Sequence, residues 1–182
     1  MAIIDGHEYV DLGLPSGVKW ATCNIGASKP EEYGDYYAWG ETKTKKEYTT
    51  ANSITYYKNR KDISGSVRYD VARVKWGGGW RLPTIEEIAE LASMCSITTS
   101  RRNGIDGCYV EGPNGNSIFF PFAGKRNSNI LERVGCAAGY WGSSPKDTDC
   151  ASSFEFYKDK PNRVCVGCWY RYYGLTVRPV IK

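Results

Sequence analysis

The sequence predicts an α+β domain, with short strands at both ends of the chain and two helices between them. Three observations carry this. The 182 residues include 20 Gly, 14 Tyr and 6 Trp but only 2 Met, a balance that favours pleated strands and turns over a helical bundle. Helical spacing with capping signals is confined to residues 66–95. On either side, apolar runs alternate with polar residues and are punctuated by Gly, Pro and Asn. A chain of this length can bury one core, so residues 1–182 are expected to form one domain.

The elements follow in order. His7–Gly26, "HEYVDLGLPSGVKWATCNIG", reads as strand, turn, strand: Val10, Leu12 and Leu14 alternate with Asp11 and Gly13, and Pro15-Ser16-Gly17 supplies the turn. "YGDYYAWGE" (Tyr33–Glu41) is an aromatic run. Thr42–Gly65 is polar and rich in Lys and Thr, and is expected as a surface excursion. Ser66 can cap a helix over "SVRYDVARVKW", with Val67, Val71 and Val74 on one face, and Gly77-Gly78-Gly79 ends it. Thr84 with Glu87 forms a capping box for a second helix, whose apolar stripe is Ile85, Ile88, Ala89, Ala92 and Cys95.

Beyond Cys95 only strand and turn signals remain. Asn114-Gly115 between "CYVEG" and "NSIFFPF" marks a hairpin. "GYWGSSP", "ASSFEFY", "RVCVGCWY" and "YGLTVRPV" follow as strands. In the last stretch, period 2 puts Trp169, Arg171, Tyr173, Leu175 and Val177 on one face and Tyr170, Tyr172, Gly174, Thr176 and Arg178 on the other. Leu175 and Val177 point to the core. Nearer the preceding turn both faces are expected to reach solvent, where Trp and Tyr offer large contact area and Arg171 a planar donor fork.

The charge argues against nucleic acid as a partner: 24 basic and 20 acidic residues leave a net charge of +4, and the basic residues are scattered. No run approaches the ~20 apolar residues of a membrane span. "MAIIDGHEYVDLGLPSG" lacks a basic n-region and a long apolar core, so no signal peptide is expected. The chain as written is expected in the cytoplasm, with export, a place on a phage particle or trimming of a longer chain left open.

Chemistry-bearing patterns are sparse. His7 is the one imidazole, so a Ser-His or Cys-His base is nearly absent, and no G-x-S-x-G occurs. "WGGGW" has neither the Lys nor the spacing of a phosphate loop. Glu86-Glu87 fits a helix N-terminus. Asp147 and Asp149 offer oxygen ligands for calcium, but the segment reads as a solvated turn. Seven cysteines are present, and among them Cys165 and Cys168 alone have C-x-x-C spacing. Zinc needs further ligands, so unpaired thiols are the reading taken. No enzyme activity, cofactor or metal is expected.

Five stretches carry a resemblance: "YVDLGLPSGVKWATCNIGASKPEEYGDYYAWGET", "WGGGWRLPTIEE", "GPNGNSIFFPFAG", "GYWGSS" and "YYGLTVRPV". Together they resemble the Fibrobacter succinogenes major paralogous domain family, abundant in gut Bacteroidetes and their phages. That resemblance implies a C-type lectin-like fold, similar to the formylglycine-generating enzyme group, with the termini brought together. It further implies a variable protein of a diversity-generating retroelement. In such systems a reverse transcriptase with adenine-directed errors rewrites the end of the gene on a fixed scaffold.

On that reading the variable ligand-binding region is about 136–173, with Cys136, Ala138, Gly142, Lys146, Asp147, Asp149, Cys150, Cys165, Gly167, Cys168, Trp169, Tyr170 and Tyr172 as its contact residues. The ligand would be a macromolecule, a protein or glycan on a cell surface. The alternative is a non-varying adhesin or surface-structure domain of the same family. Two departures limit what the resemblance implies. Gly112 separates Glu111 from Pro113, and no Trp-Asn-Asp triplet occurs, so calcium-dependent sugar binding is not implied. The oxidase activity of the formylglycine-generating group is not carried over to Cys165 and Cys168.

Overall fold

A computed structural model describes residues 2–182. Its strands are β1 (Ala2–Ile4), β2 (His7–Asp11), β3 (Lys19–Ala21), β4 (Ser96–Arg102), β5 (Ile105–Glu111), β6 (Ser117–Pro121), β7 (Lys125–Asn127), β8 (Ile130–Glu132), β9 (Ala137–Pro145), β10 (Cys150–Tyr157), β11 (Lys160–Tyr170) and β12 (Val180–Ile181). Helices α1 (Val71–Trp76) and α2 (Ile85–Met94) lie between β3 and β4. The architecture is therefore α+β, mostly antiparallel sheet with two short helices. Among the described residues, no helix is long and apolar enough to cross a membrane.

Four sheets divide the strands: β1-β2-β3-β12, β4-β5-β6, β7-β8 and β11-β10-β9. In the first, β12 pairs with β3 through Val180↔Trp20 and Ile181↔Lys19, tying the end of the chain to its beginning. Asn103 and Gly104, both with positive φ, turn β4 into β5, the backbone that a two-residue hairpin needs. The Asn114-Gly115 signal joins β5 to β6 as expected.

Two apolar cores sit on opposite faces of the β9-β10 pair. Trp20, Phe120, Tyr140, Phe154 and Phe156 fill one with Leu12, Ile88, Leu91 and Val110. There Tyr140 and Phe154 stack at 5.2 Å while Trp20 meets Phe154 edge-on at 5.7 Å. Tyr37, Trp39, Trp141, Ala151, Leu175 and Val177 fill the other. Adjacent residues Tyr140 and Trp141 thus enter different cores, as strand alternation requires. Trp141 Nε1 donates to Tyr37 O at 2.7 Å and Trp39 Nε1 to Gly142 O at 2.9 Å, so both buried indoles are satisfied across the sheet.

Several elements differ from expectation. Helix α1 starts at Val71 because Asp70, fully buried, is the stronger cap: its Oδ1 accepts from Ala72 N and Arg73 N, and its Oδ2 from Gly65 N and Leu82 N. Ser66 instead closes a turn onto Arg68 N and Tyr69 N, which leaves Val67 and Val74 exposed. The α2 capping box forms as expected, but its buried side is Ile88 and Leu91 with Ala92 and Cys95 packed beside them, and Ala89 faces solvent.

Residues 42–65 are not simply a surface excursion. Tyr48 and Thr55 are buried, donating to Tyr36 O at 2.5 Å and Trp39 O at 2.6 Å, and Ile63 enters the second core. "YGLTVRPV" is extended but held by single bridges, Leu175 to Tyr37 and Thr176 to Tyr140, until β12 begins.

Candidate functional site

The β9–β10–β11 sheet carries most of the residues expected to bind. Central β10 is buried along nearly its whole length, and edge strand β11 is largely exposed. Strand alternation splits β11 into two sides. Cys165, Gly167 and Trp169 pair with Glu155, Ser153 and Ala151 on one side, while Cys168 and Tyr170 pair with Ser152 and Cys150 on the other. The C-x-x-C cysteines therefore point to opposite sides of one strand.

On the Trp169 side, a narrow cleft with room for only about 20 Å³ is lined by Lys125, Arg133, Glu155, Tyr157, Trp169 and Leu175, together with Gly124 and residues 137–139. Lys125 Nζ lies 3.8 Å from the centre of the Trp169 ring and 4.5 Å from that of Tyr173, and 3.5 Å from the Glu132 carboxylate. The Arg133 guanidinium sits 5.1 Å over Tyr157. Glu155 is 8 % exposed. Burial raises its pKa, opposed by Trp169, Ser153, Lys125 and Arg133. Its carboxylate accepts from the Tyr157 hydroxyl and from Ser153 Oγ. Trp169 Nε1 is buried beside this carboxylate without a complete hydrogen bond.

The other side ends in an aromatic group. Tyr170 and Tyr172 stack at 5.7 Å, Tyr172 meets Tyr173 at 4.7 Å, and Tyr56 meets Tyr172 edge-on at 5.2 Å beside Tyr57. Tyr57 is 67 % exposed and Tyr170 43 %. Beside them is the β9–β10 turn. Asp147 Oδ1 accepts from Asp149 N at 3.1 Å and Cys150 N at 2.6 Å, and Lys146 Nζ lies 3.4 Å from Cys168 Sγ. Asp147 and Asp149 hydrogen-bond to each other, which holds the first carboxyl below its usual range and lifts the second. Burial, then Asp147, Cys168 and Asp149, push the Cys150 thiol up to about 11.

The thirteen residues expected at a binding surface thus fall into distinct places. Lys146, Asp147, Asp149, Cys150, Cys168, Tyr170 and Tyr172 gather at one end of the hairpin; Cys165, Gly167 and Trp169 lie on the cleft side. Cys136 is exposed at the start of β9, beside Lys158 and Asp159. Two expectations are corrected. Ala138 is 2 % exposed and belongs to the first core. Gly142 is buried where an added Cβ would stand 2.5 Å from Ser152 Oγ and 2.6 Å from Ile88 Cδ1. Neither reaches a ligand. Arg171 is also buried, not an exposed fork: it donates to Thr55 O, Lys58 O, Cys150 O and Asp147 O, and stacks on Trp39 at 4.4 Å. Arg178 is likewise buried, on Asn24 Oδ1, Ala21 O and Phe119 O.

Sequence reasoning missed Glu155, Lys125 and the Tyr56-Tyr57 pair. Glu155 had a signal, since it is the one charged residue inside "ASSFEFY". Lys125 and Tyr56-Tyr57 lie far away along the chain and are brought in by β7 and the 42–65 segment. No family model, curated protein or solved structure matches the chain.

Proposed function

We propose that the protein is a ligand-binding display module, a C-type lectin-like variable protein of a diversity-generating retroelement whose fixed frame presents a changeable face to a protein or glycan. One observation carries this reading: folding and contact duties are segregated along β11 and the adjoining turn. Gly167 has open space where a side chain would go, with Glu155 Oε1 its nearest neighbour at 3.8 Å. Lys146, Asp147, Cys136 and Tyr170 are exposed, while the buried Trp39, Trp141, Arg171 and Arg178 hold the frame beneath them. A surface of Tyr and Trp over a rigid support has the composition of a paratope, in which large rings supply contact area at low entropic cost. His7, the one imidazole, is stacked on Trp76 at 3.7 Å, a packing role that suits a binding protein.

The test is to sequence the 3′ end of the gene from many cells of one population, together with its flanking DNA. The expected result is amino-acid differences confined to exposed and half-buried positions such as Lys146, Gly167, Tyr170 and Cys168, with Ala138, Gly142 and Arg171 constant. An adjacent reverse-transcriptase gene and an imperfect repeat should accompany them. Uniform sequences without those neighbours would replace this reading with a non-varying adhesin domain.

A further inference from the structure

We propose that the β9–β10 turn and strand β11 together form a site for one soft divalent cation, of which Zn²⁺ is the type, held by the Cys150 and Cys168 sulfurs and the Asp147 and Asp149 carboxylates. The sequence spacing pointed to Cys165 with Cys168, but alternation sends those thiols to opposite sides of β11. Folding substitutes Cys150 for Cys165. The registers Cys150↔Tyr170 and Ser152↔Cys168 make Cys150 and Cys168 diagonal neighbours on one side of the hairpin, and Cys168 is among the groups that raise the Cys150 thiol pKa. Ligand atoms of Asp147, Asp149 and Cys150 already lie within 4.8 Å of one another.

Both thiols are free, and a diagonal offset of this kind favours a bridging metal over a disulfide. A disulfide needs Cβ atoms about 3.5–4.5 Å apart, whereas diagonal residues on paired strands stand roughly 7–8 Å apart at Cα and only somewhat less at Cβ. Two sulfurs sharing one tetrahedral zinc, each at about 2.3 Å, stand roughly 3.8 Å from one another and so tolerate that wider spacing. Two thiolates with two carboxylates make a mixed soft and hard set that suits zinc and disfavours magnesium or calcium. The tight turn fixes the acids, since the backbone N–H groups of Asp149 and Cys150 hold the Asp147 carboxylate. On binding, each thiol gives its proton to solvent and forms a metal–sulfur bond, with no change in oxidation state. Lys146, exposed and beside the Cys168 sulfur, is the one ammonium on that sulfur; it must swing away and opposes the dication while it stays.

The experiment uses the reduced full chain and Co²⁺ as a spectroscopic probe, followed by competition with Zn²⁺. One equivalent should bind with a near-ultraviolet thiolate-to-cobalt band. Cys150→Ser and Cys168→Ser should each weaken binding by at least about 10-fold, the lower end of what even supporting residues contribute at metal sites. Cys165→Ser should change nothing, and Lys146→Gln should tighten binding. In the unaltered protein, Zn²⁺ should shield Cys150 and Cys168, but not Cys165, from alkylation read by mass spectrometry, which needs no variant to fold. Absence of the band, its survival in Cys168→Ser, its loss in Cys165→Ser, or equal alkylation with and without zinc would each overturn the site. The inference is independent of the display reading, because metal binding by this one sequence does not depend on whether the gene varies.

Discussion

Strands β9 and β11 flank the same strand, β10, and share antiparallel pairing with it, yet one is almost wholly buried and the other mostly exposed. Both carry small residues and aromatic rings. On β9, Tyr140 and Trp141 enter two different cores and Gly142 is walled in by Ser152 and Ile88. On β11, Tyr170 reaches solvent, half-buried Trp169 lines a cleft and Gly167 has room for a side chain. The difference teaches that freedom to change belongs to a position in the sheet and not to a residue type. Cores on both faces cover β9, whereas among the described residues the outer edge of β11 has no further strand beside it in its sheet.

The largest expected effect tests the rings. Trp141→Ala should cost about 3–5 kcal/mol, the usual range for deleting a buried large aromatic, while Val166→Ala on β11 should stay within about 0.5 kcal/mol. Urea denaturation midpoints at constant m-value measure both, and equal losses would break the contrast. Next come the glycines. Gly142→Asn should destabilise by about 1–3 kcal/mol or more through overpacking, and Gly167→Asn by no more than about 0.5 kcal/mol, read as shifts in Tm.

A pH test addresses Glu155, which lies on β10 beneath Gly167 and Trp169. Its folded-state pKa is raised by burial, so the folded protein binds more protons than the unfolded chain as pH rises from the unfolded value. Stability present below about pH 4.3, the ordinary Glu pKa, is therefore lost as pH climbs through the folded pKa, with a slope of at most about 1.4 kcal/mol per unit. Glu155→Gln should remove this slope, and the difference between the two proteins across pH 4 to 7 checks it. A slope of opposite sign would show the carboxylate to be stabilised by Lys125 and Arg133 more than it is penalised by burial. The smallest effect concerns the cleft rim: a double-mutant cycle on Lys125 and Trp169 should give a coupling of about 0.5–1 kcal/mol, the range for a partly exposed cation–π pair.

Local signals were legible where chemistry acts over a few residues. The Thr84–Glu87 box, the Asn114-Gly115 hairpin and the stop at Gly77 all formed where the sequence placed them. Helix α1 was misplaced because Asp70 binds Gly65 N and Leu82 N as well as its own helix, and that gain is invisible along the chain. Arg171 was taken for a surface group because its acceptors at Thr55 and Lys58 lie more than a hundred residues away. Of the expected contact residues, those on β11 and its turn lie on or near the surface, whereas Ala138 and Gly142 do not, since alternation shows which side a residue takes but not what covers that side.

The sequence by itself determined the α+β class, the order of strands and helices, and the turns, because propensity, capping and period-2 patterning are short-range physics. Only the tertiary structure decided which flank of β10 is interior, that Glu155 and Lys125 share a cleft, and that Cys168 faces Cys150 and not Cys165. Those outcomes depend on strand register and on the layers packed against each face, and both are set by contacts between residues far apart in the chain.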